Sequence, residues 1–101
     1  MEKRLKLSEM LHDIWPSGNI YFQPPATTKL KFPCIVYEFA TYNTRYADNK
    51  PYQLMNQFRV TYIDSDPDSD MPEKIAQMPQ CIGERAYQRD NQYYYPFRIT
   101  L

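Results

Sequence analysis

The sequence has few of the residues on which enzyme sites most often depend. Its 101 residues include two glycines, two cysteines and one histidine. A phosphate-cradling loop is excluded in practice, because such loops use glycines to bring backbone N–H groups against the ligand. The single histidine, His12, lies on the polar side of a predicted helix, and no serine or cysteine lies in a nucleophile motif. We therefore predict a protein that is not an enzyme and that uses no cofactor and no metal.

An excess of charge of either sign is also missing, since 12 Lys and Arg residues balance 12 Asp and Glu residues. Proteins that bind nucleic acid electrostatically carry a basic excess, and proteins held at membrane surfaces carry polybasic segments, so neither class is favoured. No apolar run is long enough to span a bilayer, and no apolar segment follows the basic N-terminal residues as it would in a signal peptide. We expect the protein to stay in the cytoplasm where it is made.

The two cysteines, Cys34 and Cys81, have no metal-ligand spacing. Each stands beside an isoleucine at a predicted strand position. Because the cytoplasm keeps thiols reduced, we predict two buried free thiols in preference to a disulfide.

Alternate aspartates from Asp64 to Asp70 resemble the start of a calcium-binding EF-hand loop. The sixth position, however, is Ser69 instead of glycine, and the twelfth is Ile75 instead of a bidentate glutamate. A solvated turn is the main prediction, with weak, incidental binding of divalent cations as the alternative. Asp70 and Glu73 then resemble a helix cap, in which Asp70 accepts a backbone N–H and Glu73 reaches back.

Hydrophobic periodicity predicts two helices and several strands in one α+β domain, residues 1–101, with an antiparallel sheet and both helices on one face. The predicted helices cover residues 2–15 and 72–78, and the predicted strands cover residues 19–23, 34–39 with an extension over 41–46, 52–63, 84–89 and 93–100. The strand at 34–39 is almost continuously hydrophobic and is therefore expected to be central. The strand at 52–63 is unusually long, so part of it should project beyond the domain as a hairpin arm.

Pro96 lacks a backbone N–H, which predicts that the last strand lies at a sheet edge or is bulged. An edge strand rich in tyrosine is a natural docking site for another chain. The ten tyrosines of the sequence fit either a β-rich core or subunit contacts. Arginine and lysine side chains on the strands are candidates for ion pairs between subunits, or for facing DNA if copies surround a channel; they are Arg45, Lys50, Arg59, Arg85, Arg89 and Arg98.

Several short motifs resemble those of one family of phage proteins. They are Lys31–Glu38, Tyr46–Tyr52, Asp64–Ser69, and a late cysteine (Cys81) followed by tyrosine and Asp90-Asn91. Over roughly residues 20–101 the chain is similar to the tail-completion or tail-terminator proteins of tailed bacteriophages of Gram-positive hosts, also described as head–tail joining or minor capsid proteins. The resemblance implies a tail-terminator-like fold and a structural role in the virion.

In that family, copies form a ring, typically a hexamer, at the head-proximal end of the tail tube. The resemblance therefore implies three partners: further copies of the chain, the tail-tube protein and the head connector or neck protein. It also implies that DNA passes through the lumen without sequence-specific binding, and that no membrane is involved. The ring would end polymerisation of the tube and join the tail to the head connector.

We predict that tyrosines on the long hairpin and on the last strand bury aromatic area between subunits; they are Tyr42, Tyr46, Tyr52, Tyr93 and Tyr95. Two alternatives stay open at this point. One is a head-closure or neck protein of the phage connector. The other is a small cytoplasmic adaptor that binds a partner by adding a strand to its sheet.

Overall fold

The chain folds as an α+β domain in which one mostly antiparallel sheet carries two helices, as predicted. The computed structural model describes residues 2–16, 18–24, 29–47 and 50–101, without the side chains of residues 2–3, 42–47 and 50–54. No helix among these residues is long and apolar enough to cross a membrane. The elements in chain order are α1 (Glu2–Ile14), β1 (Asn19–Phe22), β2 (Cys34–Ala47), β3 (Lys50–Asp64), α2 (Met71–Ala76), β4 (Cys81–Gly83), β5 (Tyr87–Arg89) and β6 (Gln92–Thr100).

The strands lie in the order β1-β2-β3-β6-β4, with β5 also paired to β6. β2 is therefore interior, which confirms the prediction drawn from its continuous hydrophobicity. One pairing departs from the predicted antiparallel pattern, because β1 runs parallel to β2 and Asn19 lies opposite Cys34. A parallel pair needs a crossover of about a dozen residues, and the connection between the two strands is of that length. The Asn19 amide donates to the carbonyl oxygens of Lys31 (3.2 Å) and Pro33 (3.3 Å), which ties the end of this connection to β1.

The hairpin of β2 and β3 extends beyond the rest of the sheet. β1 pairs with β2 only as far as Tyr37, and the β6 register on β3 begins at Gln57. Within the described part of the chain, residues 41–47 and 50–55, which we call the arm, thus pair only with the opposite strand of this hairpin. The arm accounts for the elongated dimensions of the molecule, 50 × 25 × 25 Å, and confirms the predicted projecting hairpin.

The core lies between one face of the sheet and the two helices. Alternate residues of β3, namely Phe58, Val60 and Tyr62, are buried there, while Arg59 between them is exposed. This is the predicted alternation, and it follows from the two-residue period of a strand. The helices contribute Leu7, Leu11, Met71 and Ile75 to the core, Met78 follows α2, and the other strands contribute Ile35, Tyr37, Phe97 and Ile99.

The end of α1 depends on a glycine. The backbone N–H of Gly18 donates to the Trp15 carbonyl (3.1 Å), and a Cβ at position 18 would occupy the space of the Trp15 indole ring. The indole ring in turn packs edge-on against Tyr62, with ring centroids 5.8 Å apart. Gly18 is therefore required for close approach at the point where Trp15 closes the core.

The predicted cap at the start of α2 is wrong. Asp70 stands at the N-cap but makes no side-chain hydrogen bond to the helix, because its backbone is helical (φ −89°, ψ −4°) and not extended as a capping residue requires. Instead, the Ser69 hydroxyl accepts from the Met71 N–H (3.3 Å), and the Asp70 carboxylate lies 3.9 Å from the Lys74 ammonium. The residue types at positions 70 and 73 fit a helix cap, but they do not determine the backbone conformation of Asp70, on which the cap depends.

β6 is an interior strand, so its predicted position at a sheet edge is wrong. β6 itself keeps an unbroken register with β3, and the irregularity opposite Pro96 lies in the neighbouring strands on its other side. β3 lies on one side of it, and β4 and β5 lie on the other. The Glu84 N–H donates to the Pro96 carbonyl (2.9 Å), so the missing N–H of Pro96 also points toward the β4–β5 side. There the predicted strand at 84–89 is interrupted, and residues 84–86 lie outside the regular ladder. A two-residue turn, Asp90-Asn91, with positive φ at both residues, joins β5 to β6.

Candidate functional site

The first candidate surface is the face of the sheet opposite the helices; we call it the open face. Successive residues of a strand point to opposite faces of the sheet. The strand register then shows which residues of neighbouring strands lie side by side on the open face. At one end of this face Cys34 and Ile63 are buried next to the β1–β2 connection. The rest of the open face is exposed or half-buried and consists of Val36, Glu38, Arg59, Thr61, Ile82, Tyr87, Tyr94, Pro96 and Arg98.

A groove of about 310 Å³ crosses the open face beside the interruption between β4 and β5. We call it the arginine groove; it is lined by Arg59, Thr61, Glu84, Arg85, Tyr87 and Pro96. The interruption at Pro96 creates it, because residues 84–86 leave the ladder there and bring Glu84 and Arg85 to its wall. An irregularity of this kind in a strand ladder is a common way for a sheet to reposition side chains.

The charges of the arginine groove are not balanced. Glu84 pairs with Arg98, at 3.5 Å between the carboxylate Oε2 and the guanidinium Nη2. Arg59 and Arg85 are exposed and form no ion pair with any described residue, and the carboxylate of Glu38, opposite Arg59 in the register, is not paired with it. Because a guanidinium group binds carboxylates through two parallel N–H bonds, the groove is suited to an acidic ligand.

A stacked tyrosine pair lies at the end of the same groove. The rings of Tyr87 and Tyr94 are 4.9 Å apart at their centroids and almost parallel, at 9°. Tyr87 is 50% exposed, and Ile82 on β4 is 66% exposed. The sequence reasoning missed this pair. The sequence of β6 did contain a signal for it. Every second residue from Tyr93 onward is apolar and faces the core, so Tyr94, which lies between two of them, has to face away from the core.

Of the five tyrosines that the sequence proposed for subunit contacts, the structure describes the side chains of two. Tyr93 and Tyr95 lie on the helix-covered face and are half-buried, with the Tyr95 ring 6.2 Å from that of Tyr62. The other members, Tyr42, Tyr46 and Tyr52, belong to the arm, and their side chains lie outside the described residues. The assignment of these tyrosines stays a prediction.

A buried polar cluster holds the acidic loop, residues 64–70, at the end of β3. The Tyr62 hydroxyl donates to the Asp64 carboxylate (2.6 Å) and lies 3.1 Å from the Ser69 hydroxyl. Burial, followed by the hydrogen bond to the Asp64 carboxylate, raises the pKa of Tyr62. Asp64 also accepts from the Asp66 N–H (3.0 Å), and Asp66 accepts from the Asp68 N–H (2.9 Å). The loop is thus a series of local turns in which Asp66 and Asp68 remain exposed.

We expect Tyr62→Phe to lower the free energy of unfolding by about 1–2 kcal/mol, since it removes a buried hydrogen bond to a carboxylate without creating a large cavity. Urea unfolding followed by the fluorescence of Trp15, whose ring contacts Tyr62, would measure the change. Tyr95→Phe is the matched control, because it removes a hydroxyl from a neighbouring ring outside the cluster. Equal unfolding midpoints for wild type and Tyr62→Phe would show that the cluster does not stabilise the loop.

Both cysteines are free thiols, as predicted. Cys34 is fully buried, and burial raises its pKa to about 11, so the thiol stays protonated near neutral pH. Cys81 is only half-buried, which is less than predicted, although burial also raises its pKa. His12 is exposed on α1, with Nδ1 2.7 Å from the Ser8 carbonyl one turn earlier. In the described part of the chain, no group of three or more His, Cys, Asp or Glu side chains is placed to hold a metal ion.

A second concave surface lies between the ends of the helices. It has a volume of about 470 Å³, and its lining combines the apolar side chains of Met10, Ile14 and Met78 with Asp13 and Lys74 at its rim. It is wide open to solvent and mostly apolar. Unlike the arginine groove, it carries one charge of each sign and so indicates no particular ligand.

The chemical groups of the open face are guanidinium groups without carboxylate partners, stacked phenol rings and an exposed isoleucine. Such groups bind acidic segments and aromatic or apolar side chains of another chain. Comparison of this chain with protein-family models, with curated proteins and with solved structures finds no match.

Proposed function

We propose that this chain is a structural protein of a tailed-phage virion, copies of which form a hexameric ring at the head-proximal end of the tail. The ring would stop polymerisation of the tail-tube protein, join the tail to the head connector and let DNA pass through its lumen. The motifs at residues 31–38, 46–52 and 64–69 support this assignment by their resemblance to tail-terminator proteins. The proposal assigns no catalytic step to the chain.

The arm is the observation that carries the proposal. An isolated two-stranded hairpin is at best marginally stable in water, and no third strand pairs with the arm within the described residues. A projecting arm of this kind gains stability when it lies against another subunit. Arm-to-body contacts are heterologous, because they join different surfaces of two copies, and a heterologous contact closes into a ring when its rotation permits.

The first test is the absolute mass of the purified protein, measured by light scattering with and without the tail-tube protein of the same phage. We expect either a hexamer or a monomer that becomes a ring on the end of the tube. A protein that stays monomeric and ignores the tube contradicts tail termination. A ring that binds the connector but not the tube would instead place the chain in the neck of the virion.

Tyr46→Ala and Tyr93→Ala test whether the predicted tyrosines form the ring contacts. We expect each variant to fold and to assemble more weakly than wild type, since each removes aromatic area at a subunit contact. The Tyr→Phe variants at the same positions are the controls, because they keep the ring and remove only the hydroxyl. If both alanine variants reached the wild-type mass at the same concentrations, the tyrosine assignment would be wrong while the ring itself could stand.

A second candidate function, an adaptor that binds by strand addition, is favoured by the free outer edge of β1. Within the described residues β1 pairs with β2 alone, so one side of its backbone can accept another strand. A monomer that captures one host protein, and loses it when Ile20 is replaced by proline, would favour the adaptor over the ring. The short length of β1, Asn19–Phe22, limits the affinity of such an edge.

A further inference from the structure

We infer that the arginine groove of one copy binds the acidic loop of the next copy, and that this contact orients neighbouring subunits in the ring. The inference deepens the proposed function and rests on it. Its two halves are separate surfaces of the described chain, the groove around Arg59 and Arg85 and the loop 64–70 around Asp66 and Asp68.

The groove supplies positive charge that the chain itself does not neutralise. Arg59 and Arg85 have no ion-pair partner among the described residues, whereas the third arginine on this part of the face, Arg98, is paired with Glu84. Glu38 is exposed opposite Arg59 in the register, but the two described side chains form no ion pair. The exposed ring of Tyr87 adds apolar area at the end of the groove.

The loop supplies carboxylates that are exposed and held in place. Residues 64–70 contain an aspartate at every second position and no basic residue. Asp64 is buried and bonded to Tyr62, and Asp70 lies near Lys74, which leaves Asp66 and Asp68 as the carboxylates available to a partner. Their backbone turns preorganise the loop, so little conformational entropy is lost on binding.

The position of the loop makes the contact intermolecular. The loop follows β3 and leads into α2 on the helix-covered side, while the groove lies on the open face, and no described arginine pairs with Asp66 or Asp68. Two different surfaces that complement each other form a heterologous contact, which is the kind that a ring of more than two copies needs. The zero net charge of the chain therefore conceals two oppositely charged patches.

Charge reversal tests the inference. One variant carries Arg59→Glu and Arg85→Glu, a second carries Asp66→Lys and Asp68→Lys, and a third carries all of these changes. Because each of the first two places like charges against each other, we expect the concentration needed for assembly to rise at least about tenfold for either. The third variant restores opposite charges and should assemble within about threefold of wild type.

A mixture of the first two variants is a sharper test, because it distinguishes a heterologous contact from a general effect of charge. In an alternating ring with an even number of subunits, every groove then meets a loop of opposite charge. The equimolar mixture should therefore assemble at a lower concentration than either variant alone. The control variant carries Lys29→Glu and Glu9→Lys, exposed charges that lie outside both surfaces and should leave assembly unchanged. Circular dichroism and Trp15 fluorescence establish that each variant is folded.

The outcomes separate this inference from the proposed function. A wild-type chain that never assembles, alone or with tube protein, overturns both. A wild-type ring that tolerates the two reversals as well as the control overturns the inference alone. Reversals that weaken assembly without rescue by the third variant or the mixture also overturn it, because the two patches then meet other partners. Duplex DNA binding that the groove reversal abolishes and the loop reversal leaves intact would assign the groove to phosphates instead.

Discussion

Replacing residues 44–54 with Asn-Gly should produce a folded monomer that no longer assembles. Asn43 and Met55 lie opposite each other in the hairpin, so a two-residue turn can join them without altering the register of the strands below. The body keeps its sheet and both helices, and every core residue that the structure describes lies outside the deleted segment. The arm is lost, and with it the contact that we propose to hold the ring together.

Light scattering over a range of concentrations, together with urea unfolding, separates the two effects. We expect the mass of one subunit at every concentration and an unfolding midpoint close to that of wild-type monomer. The matched control replaces only residues 48–49 with Asn-Gly, which changes the tip of the hairpin and keeps its length. A shortened chain that still formed wild-type rings would remove the arm from the assembly contact.

The largest effect on stability is expected for Phe58→Ala. Phe58 lies in the middle of β3, is fully buried, and packs edge-on against Phe39 with ring centroids 5.8 Å apart. Removing a buried phenylalanine ring costs about 3–5 kcal/mol through lost transfer free energy and the cavity left behind. Domains of this size are stable by only about 5–15 kcal/mol, so the variant should be largely unfolded or close to its midpoint at 37 °C.

Thermal unfolding followed by circular dichroism would measure this loss. Arg59→Ala is the control, since Arg59 is the next residue of the same strand, faces the opposite side and is exposed. Its free energy of unfolding should stay within about 0.5 kcal/mol of wild type, as is usual for surface substitutions. If the two variants were equally stable, the core would not lie on the helix-covered face.

Local chemistry was sufficient to determine several elements of this fold from the sequence. The alternation of Phe58 with Arg59 predicts a half-buried strand, and the length of that strand predicts an arm. Periodicity predicts a helix over residues 2–15, one residue longer than α1, and predicts strands over 84–89 and 93–100 that the last turn joins. Each of these features depends on residues that are neighbours in the chain, so the two-residue or 3.6-residue period and the turn propensities are enough to find them.

The tertiary structure decided which strands are neighbours, and therefore where the candidate site lies. The interior position of β6 and the parallel pairing of β1 depend on contacts between distant segments, for which periodicity carries no information. Because Pro96 meets two short strands instead of solvent, the ladder breaks at residues 84–86 and the arginine groove opens beside Arg59. The sequence alone determined that Arg59 is exposed, but only the pairing of β3 with β6, and of β6 with β4 and β5, placed Arg85 and Tyr87 next to it.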